Sequence, residues 1–300
     1  MKSKMIDNLD ITINTGDETY DISVLIPTWN NLDYLKLCIS SLQKNSATNV
    51  QLIVLVNEGL DGTLNWLATQ KNVDFIHAKD NIGICYGLNI CRSLVKSKYI
   101  AYLNDDMYVL PNWDEILKDE ISKLDTKLFM ISSTMIEPHD TNNPCVNVKD
   151  YGDSLSNFNE DLLLKEYKSH SIPDWSGSTW PPNVVHVDIW DLVGGLSTEF
   201  SPGMYSDPDF SKKLYEAGVR TFKGVGNSLV YHFGSKSTKR VKKNTGRDMF
   251  LFKWGMTASF FSKKILRIGM PYLKLQKNRE MTFTEKLIQK LKSLKVFLNR

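Results

Sequence analysis

The sequence predicts an α/β protein with a mostly parallel central sheet, flanking helices and a helical C-terminal extension. Three observations predict it. From position 21 to about 124, short apolar runs alternate with helical segments of roughly ten to fifteen residues and no hairpin signal, the pattern of βαβ units. Those apolar runs end abruptly in polar or acidic residues, as strands do where a parallel sheet opens to solvent. Near the C-terminus, Leu287, Leu291, Leu294 and Leu298 recur at spacings of four, three and four, one stripe of a helix.

Residues 1–20 are polar and read as a leader. Residues 21–27 are an apolar strand stopped by Pro27, and Leu35, Ile39 and Leu42 mark one face of a helix over 32–43. Residues 50–56 form a second buried strand ending at Asn57 and Glu58, and a helix opens near Asp61 and Thr63. A third strand spans 73–77, Asn81 to Gly83 is a turn, and a helix covers 84–95 before a strand at 99–103. Beyond Pro111 come a helix over 113–124 and a strand over 129–136. Residues 138–182 are rich in Asn, Asp, Ser, Pro and Trp and read as one long irregular segment, of a length that is usually either functional or disordered, with Trp175 and Trp180 favouring function. Order returns at 184–187, at a helix from Asp207 ending in Gly218, and at a strand over 228–231. The domains expected are thus 21–262, divided into halves at 110/111, and a basic extension over 263–300.

Right-handed crossovers place the C-terminal strand ends on one rim. That rim gathers Thr28 and Asn30, Asn57 and Glu58, His77, and the run Asn104, Asp105, Asp106. Adjacent carboxylates at a strand end repel unless a cation or donors neutralise them, so the run reads as a divalent-metal site facing a phosphorylated ligand. It also reads as a solvated Asn-Asp turn, which these residues favour locally. No GxGxxG follows the first strand and no GxxxxGK[ST] occurs, which argues against the common dinucleotide and ATP sites.

Composition excludes other classes. The 300 residues are 42% apolar and 24% charged with net charge +3, ordinary for a globular chain. Residues 263–300 hold eleven Lys/Arg against Glu280 and Glu285, or +9, leaving −6 on the rest. A slightly acidic body speaks against nucleic acid as partner, and the basic tail suits an anionic surface. Cys38, Cys85, Cys91 and Cys145 show no CxxC spacing, which suggests a reducing compartment. With no apolar signal-peptide region and no stretch of ~20 apolar residues, the expected location is cytoplasmic, with contact at the inner face of a membrane left open.

From Asp21 to Gly255 the residues resemble the family 2 glycosyltransferases. Residues 22–30, ending Pro27-Thr28-Trp29-Asn30, look like the family's opening strand and its Pro-Thr-Tyr-Asn. Asn57 to Thr63 resembles a shortened form of its Asp-rich turn, and Asn81-x-Gly83 with Asn89 is similar to its Asn-x-Gly…Asn segment. Asn104-Asp105-Asp106 stands at its acidic motif. Gly194-Gly195 and then Ser206-Asp207-Pro208-Asp209 resemble its acceptor block, and His232 with Ser235 its His-x-x-Ser ending.

The resemblance implies a GT-A fold, Rossmann-like, and inverting transfer from a nucleotide sugar to a glycan or lipid-linked hydroxyl. It implies Mn²⁺ or Mg²⁺ held by Asp106, with Asp105 bridging to the nucleotide's ribose or to metal-bound water and His232 as a further ligand; a satisfied strand-end histidine is the other reading. Nucleotide-sugar contacts are expected from Pro27, Thr28, Asn30, Asn57, Glu58, Asn81, Gly83, Asn89 and Asn104. UDP-sugars are favoured, with GDP- and dTDP-sugars open, because Asn57 and Glu58 replace an Asp pair. Asp207 takes the base position or only caps its helix; the helix dipole argues against a strongly raised pKa there. Trp180, Gly194, Gly195 and Asp209 would face the sugar or acceptor, and Lys236, Lys239 and Arg240 would close as a diphosphate lid or stay a solvated face. The leucine stripe would rest on a membrane, on the domain, or on a second subunit of a homo-oligomer. A non-catalytic binder of the same fold, or a sugar nucleotidylyltransferase, are the competing functions.

Overall fold

The computed structural model describes residues 8–234, 245–273 and 279–298. Its strands are β1 (Leu9–Thr12), β2 (Ile22–Trp29), β3 (Val50–Asn57), β4 (Val73–Ala78), β5 (Tyr99–Tyr102), β6 (Met107–Val109), β7 (Phe129–Glu137), β8 (Val146–Val148), β9 (Trp175–Ser176), β10 (Asn183–His186) and β11 (Thr221–His232). Its helices are α1 (Leu32–Asn45), α2 (Thr63–Leu67), α3 (Gly83–Cys91), α4 (Trp113–Ser122), α5 (Glu160–Glu166), α6 (Val187–Val193), α7 (Ser206–Glu216), α8 (Gly246–Trp254), α9 (Ala258–Phe260) and α10 (Phe283–Leu298).

One sheet runs β1-β4-β3-β2-β5-β10-β7-β11-β6, with β8 beside β7 and β9 beside β11. The strands β2, β3, β4, β5, β7, β8 and β11 point one way, and β1, β6, β9 and β10 run against them. Both faces are covered, which is why the strands read as continuous apolar runs. Ile22, Val24 and Ile26 of β2 pack with Leu35 and Ile39 of α1 and Trp113 and Leu117 of α4. Leu25, between them, faces the opposite core with Leu88 of α3, Phe210 of α7 and Phe250 of α8.

Several elements depart from expectation for local reasons. Residues 9–12, inside the expected leader, pair with β4 as an edge strand. The turn after it donates Asn14 N, Thr15 N and Thr15 Oγ1 to the buried Asp74 carboxylate at 2.8, 2.9 and 2.7 Å. Pro27 does not stop β2. Pairing with β5 ends at Leu25, so the missing N–H costs no ladder bond there, while pairing with β3 continues to Trp29. The segment expected to be irregular carries β8, α5 and β9; Asn159 caps α5 by accepting from Leu162 N at 3.1 Å.

The largest difference is β11. Only 228–231 looks like a strand in sequence, because Gly224, Gly226 and Asn227 read as a loop. The strand in fact spans Thr221–His232, with a register shift between Val225 and Leu229. Gly224 is required by packing: a Cβ there would overlap the Trp175 indole, whose Nε1 donates to Thr134 Oγ1 at 2.9 Å. Trp175 is therefore a buried packing residue.

Gly224→Ala would ordinarily help a strand. Here it should destabilise by about 1–3 kcal/mol, the usual cost of overpacking, and shift the tryptophan emission. An unchanged or higher melting temperature would show that Trp175 does not depend on this glycine.

Candidate active site

Strand pairing brings the acidic run to a histidine more than a hundred residues away. β6 pairs antiparallel with β11, Met107 opposite His232, so Asp106 enters beside that histidine. On the other side of β11, Ile136 of β7 stands opposite Tyr231, which leaves Glu137 next to His232. His232 Nδ1 lies 2.7 Å from Glu137 Oε1, and Nε2 lies 3.4 Å from Asp106 Oδ1. All three side chains are buried. Burial by itself would lower the imidazole pKa, but Asp106 and Glu137 raise it to about 10. Asp105, also buried, accepts a hydrogen bond from Thr28 Oγ1 at 2.7 Å, which ties the acidic run to the end of β2.

These groups line a cleft of about 990 Å³. Pro27, Thr28, Asn57, Asn81, Gly83, Asn104, Asp105, Asp106 and His232 are on its wall, as are Trp180 and Asp207. Asp207, in the first turn of α7, is half-buried and has no hydrogen bond or ion pair among the described residues. Burial pushes its pKa up to about 7. The expectation that the helix dipole would keep this carboxylate ordinary is thus corrected: loss of water outweighs a dipole effect of typically 0.3–1 kcal/mol, roughly.

Other expected site residues lie off the cleft wall and hold its walls together. Asn30 Nδ2 donates to Glu58 Oε2 at 2.8 Å, and Asn30 Oδ1 accepts from Leu60 N at 2.7 Å, so this pair braces the loop after β3. Asn89 bonds both ways with Leu196, accepting from its N at 2.8 Å and donating to its O at 2.7 Å. Gly195 has φ +60°, and a Cβ there would strike Asn89 Oδ1; Gly194 has φ +70° and ends α6. This clamp fastens α3 to the loop before α7. Asp209 is fully buried, accepting from Trp254 Nε1 at 2.7 Å with Lys253 Nζ at 2.9 Å, and joins α7 to α8. Lys236, Lys239, Arg240 and Ser235 lie outside the described residues.

Sequence reasoning missed Glu137 and the returning segment after α8. Glu137 ends β7 on the same rim, so the strand-end rule applied to the other strands would have found it. Residues 263–273 follow the block expected to be catalytic, yet Lys263, Ile268 and Met270 line the cleft. Ser176 N donates to Met270 O at 2.8 Å and Gly269 N to Ser176 O at 3.0 Å, laying that segment beside β9. No periodic signal announces a contact of that kind.

Among the described residues no three His, Cys, Asp or Glu side chains converge as a metal-binding group. Asp106 and His232 are a two-residue donor pair, with Glu137 on the far ring nitrogen in the position that orients a ligating histidine. Such a pair could hold a divalent ion that displaces the proton Asp106 keeps on the ring, with its other ligands from phosphate and water.

Residues 23–172 match the family model described as Glycosyl transferase family 2. That is half of the chain, and the chain belongs to this family. It is 23% identical over 233 residues to a hyaluronan synthase of Pasteurella multocida, covering 74% of this chain and 22% of that protein. It is 29% identical over 108 residues to an uncharacterized glycosyltransferase of Haemophilus influenzae, covering 35% of this chain and 33% of that one. The chain thus spans between a fifth and a third of these relatives' lengths. The S. aureus TarS 1-349 structure in complex with UDP superposes with a TM-score of 0.51 at 15% identity, over 70% of this chain and 60% of that one. The fold is accordingly of the GT-A kind expected.

The raised Asp207 pKa sets a stability test. Between an unfolded value near 3.8 and a folded value of about 7, the native state keeps a proton that the unfolded state has lost. Stability contributed by this group therefore falls as pH rises through that window. Asp207→Asn should raise the melting temperature by a few degrees at pH 8 and by much less at pH 4 (roughly 2–4 °C per kcal/mol). A helix-capping carboxylate would show the opposite sign, a loss of stability at pH 8.

Proposed function

We propose that this member of glycosyl transferase family 2 moves a sugar from a nucleoside-diphosphate sugar to an acceptor hydroxyl, with inversion at the anomeric carbon. One observation carries the reading. A single cleft holds the buried Asp105, Asp106 and His232 together with a carboxylate that has no bonding partner among the described residues and a pKa of about 7, that of Asp207. The first group suits a departing diphosphate, and the second suits a hydroxyl that must lose a proton.

Thr28, Asn57, Asn81 and Asn104 line the strand-end side of the cleft and would contact the nucleotide. UDP is the favoured nucleotide, since S. aureus TarS has been solved with it; GDP- and dTDP-sugars fit the same polar wall. Asp106 and His232 would hold Mn²⁺ or Mg²⁺, which supplies charge to stabilise the leaving diphosphate. Glu137 fixes the His232 ring so that Nε2 faces Asp106, and Thr28 holds Asp105 in place.

Asp207 accepts the acceptor's hydroxyl proton as that oxygen attacks the anomeric carbon. The new C–O bond forms on the face opposite the diphosphate while the C–O bond to phosphate breaks. A base with a pKa near working pH combines a populated carboxylate with useful proton affinity. The half-exposed Trp180 would offer its ring to a sugar face. The acceptor is a glycan or a lipid-linked sugar.

Asp207→Asn should cut transfer by roughly 10²–10⁴-fold and leave UDP-induced thermal stabilisation in place. The wild-type kcat/KM should rise with pH and level off above about 7. Near-normal turnover by a folded Asp207→Asn enzyme would remove Asp207 as base. Asp106→Ala should abolish both donor hydrolysis and the extra stabilisation that Mn²⁺ adds to UDP. If no nucleotide sugar, with or without Mn²⁺, shifts the melting temperature, the transferase reading fails.

A further inference from the structure

The C-terminal helix α10 is attached to the domain the wrong way round for a packing helix. Its start is well built: Thr282 N donates to Glu285 Oε2 at 3.0 Å and Glu285 N donates to Thr282 Oγ1 at 3.2 Å, a reciprocal capping box. Gln289 is its one buried residue and accepts from Thr257 N at 3.0 Å. Successive residues turn by about 100°, so Glu285, Gln289, Ser293 and Val296 share the docked side. These are also the residues of α10 that are not exposed.

The opposite side is apolar. Phe283, Leu287, Leu291, Leu294, Phe297 and Leu298 lie along it and are between 48% and 83% exposed. An ordinary amphipathic helix buries such a stripe, and a patch of this kind marks a binding surface. Lys286 borders it on one flank and Lys295 on the other, Lys290 stands within its edge, and Lys292 lies nearer the docked side. All four are exposed and make no ion pair among the described residues.

We propose that α10 is a membrane-docking helix, which lies in the headgroup region of an anionic bilayer with its apolar stripe inserted and its lysines at phosphate level. Charge selects this occupant. The lysines and the +9 balance of residues 263–300 complement an anionic surface. Pairing the same face with a second copy about a two-fold axis would instead set Lys290 near its own equivalent. Long lysine side chains at the edge of an inserted stripe reach back to the headgroups.

The attachment also orients the cleft. Thr257, which holds Gln289, immediately precedes Ala258 and Ser259 on the cleft wall. A docked α10 therefore holds the cleft close to the bilayer and within reach of a membrane-borne acceptor, a consequence that rests on the transferase reading above.

Vesicle flotation of the full chain tests the docking without reference to catalysis. With vesicles of phosphatidylcholine and phosphatidylglycerol, the protein should float at least tenfold more than with phosphatidylcholine alone, and less in high salt. The double variant Leu291→Glu, Leu294→Glu changes only exposed positions. It should lose at least tenfold of that binding while its circular dichroism and its donor hydrolysis in solution stay unchanged. Flotation equal to wild type in this variant overturns the proposal. So does a wild-type chain that fails to float and sediments as a dimer that the variant splits. Flotation without transfer of any sugar leaves the docking proposal standing and counts against the transferase reading alone.

Discussion

The site depends on the seat of β11 between β7 and β6. Parallel pairing on one side and antiparallel pairing on the other bring three strand ends to a single point. The residues arriving there are Glu137, His232 and Asp106, two acids and a base, none of them in contact with much water. Buried carboxylates are costly unless paired. Placing the imidazole between them meets part of that cost and fixes the ring's orientation. The register shift after Val225 is part of the same constraint, because it decides which residue of β11 stands beside Glu137. A strand shifted by one residue would turn His232 away from the cleft.

The second requirement is that the walls of the cleft stay in fixed relation, since groups contributed by different elements can act together only at set distances. Small backbone fittings do this. Gly83, at φ +75°, lies so close to Ser201 and Pro202 that no side chain would fit, and Ile84 N donates to Pro202 O at 2.9 Å. Asn57 Oδ1 accepts from Ile82 N at 3.0 Å and holds the same turn from the other side. The Asn89–Leu196 clamp and Asp209 between α7 and α8 complete the set. Asn89 and Asp209, which a family pattern would assign to ligand contact, thus support the cleft from behind, while Asn57 and Gly83 brace it from its wall. Asp207 stays on the cleft wall, where its surroundings withhold the water that would keep its pKa low.

Much of this architecture was legible in the residues. The first four βαβ-type strands, the helices between them and the polar rim at their ends follow from hydrophobic periodicity, which reports burial directly. The acidic run stood out because charged groups bordering an apolar segment need a reason, and His232 and Asp207 stood out through the family resemblance. The short strands β1, β6, β8 and β9 were not legible, since three or four residues carry no period. Nor was the full length of β11, because Gly224, packed against Trp175, and Gly226, packed against the Ile172 carbonyl, look like loop residues.

The division has a physical cause. The sequence by itself determined the fold class, the family resemblance and the candidate charged residues, because these depend on local pattern and residue type. Tertiary structure alone decided that Glu137 joins His232, that Trp175 packs while Trp180 lines the cleft, and that Asp207 has a pKa of about 7. It also decided that the leucine stripe of α10 faces outward. Each of those facts depends on which atoms exclude water from a group, and that is settled by neighbours remote in the chain.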